Sequence, residues 1–402
     1  MTMIRGKLAY LNRLYSRVPF KPVVLSQHME GASPPSVFIG RAGYPKVYAG
    51  PLIPNEHGDT SMMDMPEQWL AGNNGKATQD AVDIINFRLQ LVRGKQRVHV
   101  QDARAQNKTT EMLQSIALAK QSVEIEADFS KMPTGRFLHE EMQPFGPSGP
   151  LKELKIDTAK FQPDLEKAYY DTDLLSRSAV INLYEKGLPF STIQKAFSTG
   201  AFGMARNRKL VPTRWSITAV DDMLGLHLLD KVKAYPIIEN YRVYEAESLN
   251  NHFMILLMPT QWQYESMEAW FPQIIGDRLE IYSDWEGFEK RKTYAAIGGC
   301  YYSARMAICE LLEREQKQAG AILLRESYPG YIPLGVWNVR ENMRQALREP
   351  HKEFESMQLA LNYINDRMRI KMSEWTRRSN LLKKTASWHA SRRRIGISQR
   401  IH

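Results

Sequence analysis

Residues 33–54 read SPPSVFIGRAGYPKVYAGPLIP. Two short apolar runs of β type, Ser36–Gly40 and Val47–Gly50, are punctuated by Gly40, Gly43, Pro45, Gly50 and Pro51. Glycine lets backbone approach backbone or ligand closely and proline stiffens a turn, so the spacing predicts a hairpin. At its tip stand one cation, Arg41, and one ring, Tyr44. A guanidinium and an aromatic on a fixed loop suit phosphate or nucleobase recognition, although such a pair can equally cover the edge of a core.

Outward from this hairpin the chain mixes strands and helices. Val123–Phe129 alternates apolar residues with Glu124, Glu126 and Asp128, the pattern of a half-exposed strand, and Arg97–Gln101 and Lys152–Asp157 read as further strands around a helical Met112–Lys120. QPFGPSGP at 143–150 predicts a loop or hinge. Asp173–Lys186 and Ser191–Ser198 form a helix pair around Gly187, open to two readings: a helix-turn-helix or an ordinary αα-hairpin. Ser216–Lys233, Tyr301–Gln318 and Arg340–Arg348 read as helices, and Tyr241–Glu247, His252–Met258, Arg278–Tyr282 and Ala321–Glu326 as strands. Without a regular βαβ period the class is α+β, with mixed sheets, two closely associated regions and a basic helical C-terminal tail. Phe354, Met357, Leu361, Ile364, Met368, Met372 and Trp375 recur at spacings of three and four, which predicts one long amphipathic helix.

Composition narrows the function. The 402 residues, 43% hydrophobic and 24% charged, are enough for a substantial core. The longest apolar run, Phe253–Met258, is far short of a membrane span, and cations interrupt the opening Met1–Val24, so a cytoplasmic setting is expected. Two cysteines, Cys300 and Cys309, supply neither a disulfide framework nor a zinc cluster. The net charge of +10 is uneven: residues 351–402 carry 12 Lys/Arg against 4 Asp/Glu, leaving +2 for the rest. Such asymmetry suggests a polyanion, with DNA the expected partner and Arg377, Arg378, Lys383, Lys384, Arg392, Arg393 and Arg394 its contacts.

Three more stretches concentrate chemistry. In Leu210–Asp222 (LVPTRWSITAVDD), Arg214 and Trp215 lead into a helix whose first turn is expected to hold Asp221, with Thr218 and Asp221 at capping-box spacing. Arg214 there could grip a phosphate, and Asp221 with Asp222 could hold Mg²⁺ for phosphodiester chemistry or merely complement the helix dipole. Tyr331–Glu341 (YIPLGVWNVRE) offers Trp337 to a base or the core, Arg340 to a phosphate, and Glu341 as a further acid. Gly298–Arg305 (GGCYYSAR) places Arg305 after a glycine pair, but no GK[ST] follows and no GxSxG or HExxH occurs anywhere. The residues alone leave catalysis open.

The stretches 33–54, 210–222 and 331–341 together resemble the archaeal Nre family of DNA repair proteins, with 298–305 similar in kind. On that resemblance the chain divides into Nre-like regions at 1–283 and 284–350 and an amphipathic helix with basic tail at 351–402. The resemblance implies a DNA repair or damage-response role, binding nucleic acid or a nucleoprotein complex, and contact with the sliding clamp PCNA. It implies no settled catalytic residues. The alternative is a metal- or nucleotide-dependent enzyme acting on nucleic acid or a nucleotide such as NAD, its cleft formed where the signature stretches converge. Two departures stand out. Many relatives carry an N-terminal cysteine cluster, whereas no cysteine precedes Cys300 here. The clamp-binding pattern of a glutamine, an aliphatic residue three positions on and aromatics beyond is not matched at Gln399, which only Arg400, Ile401 and His402 follow.

Overall fold

The computed structural model describes residues 21–70, 80–105, 107–135, 145–331 and 333–383. Lys384, Arg392, Arg393 and Arg394, the C-terminal residues compared with the clamp motif, most of Met1–Val24 and the first two residues of the 143–150 loop lie outside them. The fold is α+β, with two six-stranded mixed sheets in two compact units. One unit holds residues up to His227 together with the stretch ending at Glu341; the other holds Leu228–Tyr331 and the chain from Asn342 onward.

The first unit contains β1 (His28–Ser33), β2 (Val37–Ile39), β3 (Lys46–Ile53), β4 (Val92–His99), β5 (Val123–Phe129) and β6 (Ser148–Ile156), arranged β1-β5-β6-β4-β3-β2. Only β4 and β6 pair in parallel. The predicted hairpin is β2–β3, with Gly43 at its turn at φ 81°. A Cβ on Gly50 would stand 2.0 Å from the Gly94 carbonyl oxygen, so β3 and β4 lie as close as they do only because glycine is there. Val47, Ala49, Val98, Ile125 and Ala127 form a core with Leu113 and Ile116 of helix Lys108–Leu118. That helix starts where Asn107 accepts hydrogen bonds from the Thr109 and Thr110 N–H groups.

Three local expectations change in this unit. The strand expected at Arg97–Gln101 ends at His99, because a reciprocal His99–Asp102 cap starts a 3₁₀ turn at Val100. The helix expected from Ser216 begins at Thr213, so Asp221 lies in its third turn instead of its first, and the Thr218–Asp221 spacing caps nothing. Helices Ser176–Glu185 and Phe190–Ser198 are an αα-hairpin: the second is buried along nearly its whole length and offers no free face to a DNA groove.

The other unit contains β7 (Tyr241–Ser248), β8 (Asn251–Met258), β9 (Tyr264–Trp270), β10 (Glu280–Glu286), β11 (Gly320–Ser327) and β12 (Lys352–Phe354), arranged β10-β9-β11-β8-β7-β12. Central β11 runs parallel to β9 and antiparallel to β8, and all three are buried throughout. The apolar stripe of 354–375 covers one face of the sheet, but not as one helix. β12 and helices Met357–Asn365 and Met372–Arg378 share it, and Met357, Ile364, Met368, Met372 and Trp375 meet Met254, Leu256, Met267 and Leu324. Heptad-like spacing therefore survives across a turn, because what it encodes is contact with a single sheet face. Among the described residues no helix is long and apolar enough to cross a membrane.

Candidate functional site

The unit carrying the β2–β3 hairpin holds a small cleft, with room for about 40 Å³ inside its open mouth. Ser36, Val37 and Phe38 reach it from the start of β2, Thr213 and Ile217 from the first turns of helix Thr213–Val232, and Trp337 and Arg340 from helix Val336–Ala346. Three stretches far apart in the chain thus converge on one cavity. A hydrogen bond of 3.0 Å from the Ile39 N–H to the Thr213 hydroxyl ties the first two together.

Its charged groups are organised around Asp64, which is buried at the end of the 3₁₀ turn Ser61–Asp64. The carboxylate accepts hydrogen bonds from the Ser36 hydroxyl and from the Arg88 guanidinium. Lys195 Nζ lies 3.5 Å from the same carboxylate and donates to the Asp64 carbonyl oxygen at 2.5 Å. Burial alone would push the Asp64 carboxyl up, but the Arg88 and Lys195 charges and the Ser36 donor outweigh it and hold the group below the usual carboxylate range. Arg88 is driven down by its own burial, which Asp64 opposes, and its Nε finds no acceptor among the described residues. Arg93 is depressed to about 10 by burial and by the positive charge of Arg88. Both guanidinium groups lie over the Phe145 ring, at 5.1 and 4.7 Å, and Arg93 also over Phe38 at 4.8 Å.

Across the cleft Arg340 is 1% exposed. Its Nη1 donates to both Asp221 oxygens at 3.1 and 3.2 Å, its Nε to Glu341 at 3.0 Å, and its guanidinium carbon stands 3.5 Å from the Phe190 ring centre. Trp337 is fixed edge-on against Trp69, with ring centres 4.9 Å apart. Among the lining side chains the charged ones are Arg88, Lys195, Arg340 and Asp64, and the rings are Phe38, Phe145, Phe190 and Trp337. The cleft wall thus carries three cations beside four rings, with Asp64 balancing Arg88 and Lys195 and with Asp221 and Glu341 balancing Arg340 from behind the wall. Guanidinium and ammonium donors beside rings are the groups that bind a flat, phosphate-bearing ligand. The buried Ser191 hydroxyl, also in its wall, has no hydrogen-bond partner among the described residues.

The sequence-predicted residues divide among several places. Trp337 and Arg340 line the cleft, while buried Asp221 and Glu341 hold Arg340 in position. Arg41, Tyr44 and Trp215 are exposed on the same unit, with Tyr44 and Trp215 in ring contact at 5.3 Å; Arg214 and Asp222 are half-buried. Arg305 belongs to the other unit, buried at 3.1 Å from Glu286. Arg377 and Arg378 both pair with Glu374 at 2.6 Å, and Lys383 is exposed. Among the described residues no group of three or more His, Cys, Asp or Glu side chains could hold a metal ion.

Asp64, Arg88, Arg93 and Lys195 escaped the sequence reading. Asp64 in SMMDMP and Arg88 in IINFRLQ each stand as a solitary charge among large apolar residues, which was the available signal; Arg93 in LVRGKQR and Lys195 in STIQKAFS carry none.

Comparison with known proteins bears out the family resemblance. The chain matches the family models described as Archaeal Nre, N-terminal, over residues 5–275, and Archaeal Nre, C-terminal, over 286–392. It is 39% identical to the DNA repair protein NreB of Archaeoglobus fulgidus, over 94% of this chain and 96% of that one. It is 34% identical to DNA repair protein NreA of the same organism, over 88% of each, and 28% identical to NreA of Haloferax volcanii, over 94% and 91%. No solved structure matches. With both halves of the family pattern present and relatives aligned nearly end to end, the chain belongs to the archaeal Nre family.

Proposed function

We propose that this protein acts in DNA repair, binding DNA or a nucleoprotein complex, and that its cleft receives a phosphate-bearing nucleotide group. The names of the relatives support the repair role. The observation that carries the site is the meeting of three signature stretches around Arg88, Lys195 and Arg340, with four rings beside them. Rings supply stacking area for a base, and buried cations supply charge-assisted hydrogen bonds that are stronger in a dry cavity than at a surface.

The test uses Lys195→Gln. The amide can still donate to the Asp64 carbonyl, so the change removes the charge while keeping a donor. Calorimetry with AMP, ADP, NAD and a 5′-phosphorylated oligonucleotide should show affinity reduced about 10–100-fold in the variant, as for loss of a hydrogen bond to a charged group. Equal affinities for wild type and variant, or no binding of any of these ligands to the wild type, would remove the cleft as their site. The alternative reading, an enzyme acting on a nucleotide, is tested with the same variant. Product formation from these ligands with Mg²⁺, lost in Lys195→Gln, would establish that reading.

A further inference from the structure

Three large rings of the hairpin unit stand half in water: Tyr44 at 44%, Trp215 at 45% and Tyr48 at 46% exposure. Tyr44 and Trp215 contact each other at the turn, their planes tilted by 51°. Along β3, Lys46 and Tyr48 alternate with buried Val47 and Ala49, so both project from the solvent face. Directly opposite them on β4 are His99 and Arg97, which share that face. Arg41, Lys46 and Arg97 are exposed, and none of them forms an ion pair among the described residues.

We propose that this face, with Tyr44, Tyr48 and Trp215 as its rings and Lys46 and Arg97 as its cations, is a stacking platform for single-stranded DNA. Unpaired cations fit a polyanion, and exposed rings fit bases whose faces are free. In a duplex those faces are covered by neighbouring base pairs, so the rings would gain nothing from it. A polyanion lacking bases would use the cations and leave the rings in water. The choice of DNA rests on the repair role proposed above; the platform does not rest on the cleft, whose lining residues are different ones.

Fluorescence anisotropy with three probes tests this: a labelled oligothymidylate, an abasic strand of equal length and a blunt duplex. Trp215→Ala should weaken oligothymidylate binding about tenfold, within the range for one base–ring stack, and Trp215→Phe should restore most of it. The abasic strand should bind wild type more weakly and be indifferent to Trp215→Ala. Lys46→Ala should weaken both strands and lower the salt slope by about 0.7, the share of one phosphate contact. The melting temperature of Trp215→Ala should match wild type, because the ring is half solvated, and its affinity for AMP should be unchanged. Oligothymidylate binding unaffected by both Trp215→Ala and Tyr48→Ala would overturn the platform. So would wild-type binding of the abasic strand or the duplex as tight as that of oligothymidylate. Either result leaves the cleft to its own mononucleotide test.

Discussion

Asp64 does the most work of any single carboxylate in the cleft, since Ser36, Arg88 and Lys195 all depend on it. Replacing it with Asn leaves two buried cations without their shared counter-charge and should cost about 3–5 kcal/mol, the usual penalty for breaking a buried pair. Urea unfolding at neutral pH measures this, and a loss below ~1 kcal/mol would show that the cations find other partners. The acid limb gives a second check. The carboxyl is held below its ordinary value when folded, so its stabilisation is fully present above the ordinary carboxylate range and disappears as pH falls through the folded value. Wild type should therefore lose stability below pH ~4, and Asp64→Asn should lose less over the same window. Sequence reading favoured Arg41 and Tyr44 over this group for a physical reason. Glycine-rich turns advertise exposed residues, whereas a lone charge reads as surface unless its partners, here 24 and 131 residues away, are known.

Among the elements, those whose side chains follow one period were legible. β5, β7, β8 and β11 were anticipated within a residue or two, because alternation or unbroken apolar runs mark them. β9 was not, because YESMEAW sets two glutamates inside a wholly buried strand. Each has partners supplied from far along the chain. Glu268 takes Arg325 at 2.9 Å, and Glu265 accepts the Ser379 hydroxyl and the Asn380 and Leu381 N–H groups. Through Glu265, β9 fixes the segment that carries Leu381 and Leu382 into the core of its sheet. Glu265→Gln removes the charge from these hydrogen bonds and turns one acceptor oxygen into a donor facing donors. Amide exchange at Asn380, Leu381 and Leu382 should accelerate by about 10–100-fold, as expected for ~1.5–3 kcal/mol of charge-assisted bonding, while β8 and β11 keep their protection. Unchanged exchange in that segment would mean that Leu381 and Leu382 hold it by packing alone.

For the whole molecule, the sequence carried the fold class and the family, and three of its four quoted stretches include residues that either line the cleft or brace Arg340 within it. It did not carry which side chains face inward. Arg305 illustrates the limit: it follows a glycine pair and was a candidate for binding phosphate, yet helix Gly299–Glu315 turns it into the core against Glu286. The basic C-terminus divides in the same way. Residues 376–383 include Ser379, Leu381 and Leu382, all buried, so they belong to the folded body. Residues 384–402 hold five cations, Lys384, Arg392, Arg393, Arg394 and Arg400, and no Asp or Glu. Two truncations should therefore behave differently. Removing 384–402 should lower the salt slope of single-strand binding by up to about 3.5, at ~0.7 for each phosphate no longer neutralised. Removing 376–402 should also strip Glu265 of its partners and open the apolar cluster around Trp375, at about 2–5 kcal/mol for a large core deletion, and so lower the melting temperature sharply. Salt titrations by anisotropy and thermal melts of both proteins decide the matter. If the shorter truncation leaves the salt slope at its wild-type value, the five terminal cations are not the DNA contact and the charge asymmetry of the chain serves another partner.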